Sequence, residues 1–168
     1  ARFLAAHAAE LDLRLLTFTG GTLRNAIPRE AFATVAVESH KADALKSAAA
    51  QFLSAIQNEH GIKEPNIALV TEPLAHQGAA LSADSRDRFL NLLNSTPNGV
   101  IRNSDVAKGV VETSLNIGVV TMEEDHAEIN CLIRSLIDTG RDYVVQMLTS
   151  LGQLAGAQKI GRASCRER

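Results

Sequence analysis

A short connection at residues 20–30 sets the arrangement of everything around it in this sequence. It reads GGTLRNAIPRE and joins two apolar runs that are rich in β-branched and aromatic residues, which is typical of strands. The paired glycines allow a positive φ or a close approach of another backbone segment, and Pro28 fixes its own φ. Asn25, between these constraints, is expected to hold its amide in one direction, where it can donate and accept hydrogen bonds. A plain strand connection explains the same residues, and the residues alone favour that simpler interpretation.

Hydrophobic periodicity predicts an α+β fold. Apolar runs predict strands at residues 11–19, 31–37, 65–70, 100–104, 109–122 and 126–134. Helical spacing predicts helices at residues 1–10, 38–58, 82–93 and from 138 onward. The charged residues 123–125 turn the chain between the last two strands, so these form an antiparallel hairpin. Hairpins mixed with helices predict an antiparallel or mixed sheet that helices cover on one face.

The predicted core is aliphatic, since the chain has no Trp and only 4% aromatic residues. The long strand at 109–122 is expected to have one mostly apolar face, made of Val111, Leu115, Ile117 and Val119. Its opposite face is polar, with Glu112, Ser114 and Asn116. The last helix is expected to have Asp138 as its cap and to bury a stripe of Val144, Met147, Leu148, Leu151 and Leu154.

Composition excludes several classes of protein. A formal net charge of −2 gives no basic surface for nucleic acid. No apolar run approaches the roughly 20 residues that cross a bilayer, and no signal peptide is visible, so we expect neither a membrane partner nor export. Two cysteines, Cys131 and Cys165, are too few for a disulfide framework, which favours the reducing cytoplasm.

Metal-binding and catalytic patterns are missing from the sequence. The five histidines, at positions 7, 40, 60, 76 and 126, form no H-x-x-x-H pattern, and no C-x-x-C pattern is present. His126 stands beside three acidic residues in the hairpin turn, where a solvated turn is the better interpretation. Cys131 alternates with Ile129 and Ile133 in a strand, so a buried, inert thiol is expected. We therefore expect no bound metal, no cofactor and no catalytic residue in this chain itself.

Arg134 is the second residue that could bind a ligand. Strand alternation places Asn130, Leu132 and Arg134 on the face away from the helices. An arginine there can clamp a carboxylate through two parallel N–H···O bonds. An ion pair at the end of a strand explains it equally simply, and sequence alone favours the ion pair.

Three blocks of the sequence resemble a known family. The first contains the pattern G-G-x-x-x-N-x-I-P-x-x-A within LAAHAAELDLRLLTFTGGTLRNAIPREAFATVAV. The others are TPNGVIRNSDVAKGVVETSLNIGVVTM and INCLIRSLIDTGRDYVV. They are similar, in the same order, to the di-zinc aminoacylase/carboxypeptidase metallopeptidases and, within that family, to the bacterial aminoacyl-histidine (Xaa-His) dipeptidases. The likeness runs from residue 1 to about residue 158.

The resemblance implies a lid domain of ferredoxin-like sandwich fold, which binds substrate in a cytosolic enzyme that hydrolyses Xaa-His dipeptides such as carnosine. Asn25 matches the lid asparagine that contacts the substrate carbonyl, and Arg134 matches the arginine that binds its terminal carboxylate. Two zinc ions and the catalytic carboxylate are implied in a separate catalytic domain of the same polypeptide. The implied partners are therefore a dipeptide with a free carboxylate and that catalytic domain, and a homodimer stays open.

Residues 1–159 are expected to form this domain, with sequence missing before residue 1. Residues 160–168 (IGRASCRER) break the hydrophobic periodicity and resemble a translated sequencing adapter, so they are interpreted as a non-native tail. The competing hypothesis is a free-standing α+β interaction or dimerisation module without catalysis. The two hypotheses differ in the open face of the sheet, which should be polar around Asn25 and Arg134 for a ligand and apolar for a protein partner.

Overall fold

The sequence folds into a five-stranded sheet with helices packed against it. The structure, a computed structural model, describes residues 1–75, 78–123, 125–158 and 161. The helices are α1 (Arg2–His7), α2 (Ala42–His60, preceded by a 3₁₀ turn at Ser39–Lys41), α3 (Ala83–Ser95) and α4 (Asp138–Leu154). The strands are β1 (Arg14–Gly20), β2 (Ala31–Ala36), β3 (Gly99–Asn103), β4 (Val111–Met122) and β5 (Ala127–Ser135). The predicted tail at 160–168 lies outside the described residues except for Gly161.

Strand β4 is the centre of the sheet. Strand β5 pairs with it from Thr113 to Met122, so β1 and β3 share its other edge. There β3 pairs with the first half of β4, and β1 joins through Gly20 opposite Val120. Strand β2 pairs with the outer edge of β1. All of these pairings are antiparallel, as the hairpin pattern predicts.

The helices cover one face of the sheet and leave the other open. Buried residues of α1, β1, α3 and β4 form one core, with Leu13, Leu15 and Leu90 among them and the half-buried Leu45 of α2 packed against it. Helix α4 buries Val144 completely. Its Gly140 lies against the hydroxyls of Thr113 and Ser135, so α4 packs on the same side as Leu115. The predicted one-sided α+β architecture is therefore correct.

Three details of the predicted pattern are wrong. Residues 65–70 form no strand; Ile67 accepts a hydrogen bond from the Gln57 amide at 3.1 Å, and this contact ties the segment to α2 and not to the sheet. Helix α4 has Ile137 as its cap, and Asp138 instead bonds Arg141 in the first turn at 2.6 Å. Leu154 is 87% exposed because α4 runs past the core at its end.

A fourth expectation, that Val119 lies on the helix-covered face of β4, is wrong because the strand contains a β-bulge. The register with β5 shifts between Ile117 and Val119, which leaves Gly118 as the extra residue. The bulge turns Val120 into the core and moves Val119 opposite Asn130, on the open face. Simple alternation had placed Val119 on the helix side.

Within residues 1–75, 78–123 and 125–158, no helix combines the length and apolar character that crossing a membrane needs.

Candidate functional site

The connection between β1 and β2 folds back over the open face of the sheet. This segment, residues 21–30, is called the 21–30 loop below. It is closed at its base by a hydrogen bond from the Gly21 N–H to the Glu30 carbonyl at 3.2 Å. A second bond, from the Ala26 N–H to the Leu23 carbonyl at 3.2 Å, tightens the turn that contains Asn25. The loop is therefore a defined structure and not only a link between strands.

Two glycines let the loop lie directly on β4. Gly21 has a φ of +69°, and a Cβ on it would overlap the Gly118 carbonyl oxygen. A Cβ on Gly118 would in turn lie 2.6 Å from the carbonyl carbon of Arg24. Backbone therefore meets backbone at this point, and neither position has room for a side chain.

The side chain of Asn116 anchors the loop to β4. Its amide nitrogen donates to the Arg24 carbonyl and to the Ala26 carbonyl, each at 2.9 Å. Because both partners are carbonyls, the nitrogen and not the oxygen must face the loop. These two carbonyls belong to the residues on either side of Asn25, so the anchor brackets the predicted ligand residue.

Asn25 itself points its amide at no other described residue. It is exposed, and among the residues that the structure describes its side chain makes no hydrogen bond. Its backbone neighbours are fixed while its amide remains available. This is the arrangement expected for a ligand-binding asparagine, whose hydrogen-bonding capacity is otherwise used for turns.

Arg134 lies on the same open face, near the end of β5. It stands opposite Ser114 of β4, and Asn116 stands opposite Leu132. Arg134 is thus the diagonal neighbour of the loop anchor, at a typical spacing of about 7–8 Å between Cα atoms. The structure therefore brings the two predicted ligand residues to one region of one face.

The guanidinium of Arg134 has no acidic partner among the described residues. The side chain is exposed and makes no ion pair or hydrogen bond with any of them. The ion pair that sequence alone favours is therefore absent from the described part of the chain. A guanidinium without a partner among the described residues, on a face with Ser114 and Asn116, is suited to a carboxylate or phosphate group.

The surroundings of the two residues are mostly polar on β4 and β5. Asn130 and Glu128 continue the open face of β5, and the Asn130 amide donates to Glu128 at 3.1 Å. Apolar side chains lie at the loop and at β2, where Ile27 is 80% and Phe32 is 65% exposed. The face is therefore polar at the charged end and apolar beside the loop.

The other candidate groups belong to solvated or inert positions. Asp125 accepts a hydrogen bond from His126 at 2.7 Å in the exposed hairpin turn, and this raises the pKa of His126 and lowers that of Asp125. Burial raises the pKa of the Cys131 thiol to about 11, so it stays protonated at neutral pH. In the described ranges, no group of His, Cys, Asp and Glu could hold a metal ion. The part of the chain that the structure describes therefore offers no ligand set for a zinc centre.

Sequence reasoning did not assign a role to Asn116 or Gly118. A polar face on β4 was visible in the sequence, but alternation gave no reason to single out one residue of it. A glycine inside a long apolar strand is a signal for a bulge or a close backbone approach. That signal was present in the sequence at Gly118 and was not used.

Comparison with known proteins identifies relatives of the whole segment. Residues 1–64 match the model of the peptidase dimerisation domain. Over 157 residues, 94% of this chain and 32% of the relative, the sequence is 66% identical to the cytosol non-specific dipeptidase of Escherichia coli K12. The crystal structure of aminoacylhistidine dipeptidase from Vibrio alginolyticus is similar with a TM-score of 0.92 at 50% identity, over 94% of this chain and 32% of that one. These matches confirm the α+β fold and the resemblance to the dipeptidases, of which the chain spans about a third.

Proposed function

We propose, from this relationship to the dimerisation domain of bacterial dipeptidases, that the chain is the substrate-binding lid of a cytosolic dipeptidase acting on Xaa-His dipeptides such as carnosine. Arg134 binds the terminal carboxylate of the dipeptide, and Asn25 orients the carbonyl of its peptide bond. The proposed lid comprises residues 1–159. The observation that carries the proposal is that Asn25 and Arg134 lie on one open face and have no side-chain partner among the residues that the structure describes.

The chemistry of Arg134 supports a carboxylate ligand. A guanidinium offers parallel N–H donors that match both oxygens of a carboxylate. With no acidic partner among the described residues, the guanidinium is available to an incoming carboxylate, which has to displace water and not an ion pair. A phosphate would fit the same fork, but the related proteins are dipeptidases.

The spacing of the two groups supports a short peptide. Arg134 and the Asn116 anchor are diagonal neighbours across β4 and β5, about 7–8 Å apart. Two extended residues span at most about 7 Å. The Cα atoms of Arg134 and the loop anchor are therefore about one dipeptide's length apart, and a peptide that continued beyond its carboxylate would have to pass the position of Arg134.

The hydrolytic chemistry belongs to sequence outside this chain. The described residues offer no ligand set for the zinc ions that the family resemblance implies. The contribution of this chain is confined to binding the peptide and aligning its carbonyl. By itself it is expected to be inactive.

A second candidate, a dimerisation module, has its own support. Residues 1–64 match a domain whose description is dimerisation, and the outer edges of β2 and β5 have no strand partner in the described residues. Unpaired edges can add a strand from another copy. The two roles are compatible, since the open face and the strand edges are different surfaces.

The proposal is tested by substituting the two ligand residues in the full-length polypeptide. Arg134→Ala and Asn25→Ala are each expected to lower kcat/KM for an Xaa-His dipeptide by about tenfold to a hundredfold, since each removes one to two polar contacts. Arg134→Lys keeps the positive charge but loses the two parallel N–H donors of the guanidinium. Its kcat/KM should therefore lie between those of the wild type and of Arg134→Ala. Arg88→Ala is the matched control, because Arg88 pairs with Asp84 on the exposed side of α3. Unchanged kinetics for Arg134→Ala would reject the clamp.

The complete reading frame gives an independent test. If the chain is a lid, the flanking sequence should contain His, Asp and Glu residues in the pattern of a zinc site and should lack IGRASCRER. A frame without such residues would reject the dipeptidase and leave the dimerisation module.

A further inference from the structure

We infer that Asn116 is a positioning residue for the reaction: it holds the 21–30 loop on β4 so that the amide of Asn25 is aimed at the substrate carbonyl. This inference rests on the proposed function, since it assigns Asn116 a role that acts through Asn25. Asn116 itself touches no reacting atom in this account.

The two hydrogen bonds from Asn116 fix the backbone on both sides of Asn25. The Arg24 carbonyl and the Ala26 carbonyl each lie 2.9 Å from its amide nitrogen. These carbonyls belong to the 24–25 and 26–27 peptide groups, so holding both restricts the backbone dihedral angles of the two residues between them, Asn25 and Ala26. Asn25 has no hydrogen bond of its own to a described residue, so this backbone restriction sets the direction of its Cα–Cβ bond and limits the rotamers that its side chain can adopt.

The β4 strand gives the anchor a rigid base. Asn116 stands opposite Leu132 in the ladder between β4 and β5. On the other edge, in the gap that neither β1 nor β3 fills, the Ile117 N–H donates to the Asn98 side chain at 2.8 Å. The Arg24 backbone also packs directly against Gly118 of the same strand. The anchor therefore sits on a strand that is bonded on both edges, next to the loop it holds.

The position of Asn116 also couples the two ligand groups. Arg134 and Asn116 are diagonal neighbours on the same pair of strands. A loop fixed to Asn116 keeps Asn25 at a constant distance from the carboxylate site. Precise placement of this kind matters, since a shift of about 1 Å at a reacting group can cost about a hundredfold in rate.

A double-mutant cycle in the full-length polypeptide tests the inference. Asn116→Ala is expected to lower kcat/KM by about tenfold, mainly through kcat, while Asn130→Ala, on the same open face, stays near the wild type. In an Asn25→Ala background, Asn116→Ala should cost little more, because its effect passes through the missing amide. Asn116→Asp keeps the shape and removes both donors, so it should reproduce the loss, with Asn130→Asp as its charge-matched control.

Trypsin cleavage gives a structural readout that does not depend on activity. The carbonyl of the Arg24–Asn25 bond is one of the two that Asn116 holds, so this bond is cleaved only when the loop leaves β4. Asn116→Ala should speed that cleavage by about tenfold or more, because the two hydrogen bonds that hold the loop on β4 are lost. Cleavage after Lys63, in the exposed turn that follows α2, should keep its rate.

The outcomes separate this inference from the proposed function. Two outcomes would show that the positioning role is wrong while the proposed function stands, provided that Asn25→Ala itself lowers kcat/KM. In the first, Asn116→Ala leaves kcat/KM unchanged. In the second, Asn116→Ala lowers kcat/KM by the same factor in the Asn25→Ala background as in the wild type. If neither Asn25→Ala nor Arg134→Ala changes activity, the proposed function fails and the positioning role fails with it.

Discussion

The close approach at Gly118 gives the sharpest stability prediction. In Gly118→Ala the new methyl group would overlap the backbone of Arg24, and the carbonyl carbon of that residue lies 2.6 Å from the Cβ position. The strand backbone at this point cannot retreat easily, because β5 pairs with β4 on both sides of the bulge, from Thr113 to Ile117 and from Val119 to Met122. The 21–30 loop must therefore move away from β4.

The loss in free energy of unfolding is set by whichever of two structural responses to the new methyl group is less unfavourable. Keeping the loop in place would require overlap with backbone atoms, which core overpacking puts at about 1–3 kcal/mol or more. Releasing the loop loses the two hydrogen bonds from Asn116, about 2 kcal/mol together. The 21–30 loop is on the surface, so it can move off β4 at a cost limited to these two hydrogen bonds. We therefore expect a decrease of about 2 kcal/mol in the free energy of unfolding.

Urea unfolding of the wild type and two variants measures this directly. Gly152→Ala is the control, because Gly152 lies in α4 and, of the described residues, a Cβ there would meet only the Ala157 carbonyl, at 3.6 Å. It should gain about 0.5–1 kcal/mol from helix propensity. If Gly118→Ala unfolds within about 0.5 kcal/mol of the wild type, the loop does not lie on β4 as described.

Three further predictions concern the rest of the fold. Arg86→Met should lower the free energy of unfolding by about 3 kcal/mol in urea titrations, because the buried guanidinium donates to the Leu13 carbonyl at 2.7 Å and the substitution leaves that carbonyl unpaired. Ser82→Ala should cost about 1 kcal/mol in the same assay, since its hydroxyl caps α3 by accepting from the Ser85 N–H at 3.1 Å. Cys131, whose pKa burial raises to about 11, should react slowly with iodoacetamide at pH 8 and rapidly once the chain unfolds, as mass spectrometry of its peptide would show. The thiol of Cys131 ionises at lower pH in the unfolded chain than in the folded one, so the free energy of unfolding should fall as pH rises towards 11. Fast labelling of Cys131 in the native chain would contradict its burial.

The sequence was sufficient for the architecture because most elements satisfy local and tertiary preferences together. Ser82 followed by an amphipathic run gave α3 and its cap, and the alternation around Cys131 gave the correct faces of β5. Asn25 and Arg134 were predicted as ligand residues through the family resemblance, since exposed polar residues carry no periodic signal of their own.

The errors fall where a non-local contact overrides the local pattern. Val119 changed faces because a bulge at Gly118, which accommodates the loop, interrupts the alternation. Residues 65–70 have the composition of a strand, but a strand needs an edge to pair with, and their contact is with α2. Asn116 was missed for the same reason: its partners are about 90 residues away in the sequence.

The central claim is that Arg134 binds the terminal carboxylate of a dipeptide. The most direct measurement is kcat/KM of the full-length polypeptide for an Xaa-His dipeptide and for its C-terminal amide, in the wild type and in Arg134→Ala. The account predicts that the wild type prefers the free carboxylate by about tenfold or more and that Arg134→Ala loses most of this preference. An equal preference in both proteins would show that the carboxylate is bound elsewhere and would contradict the account.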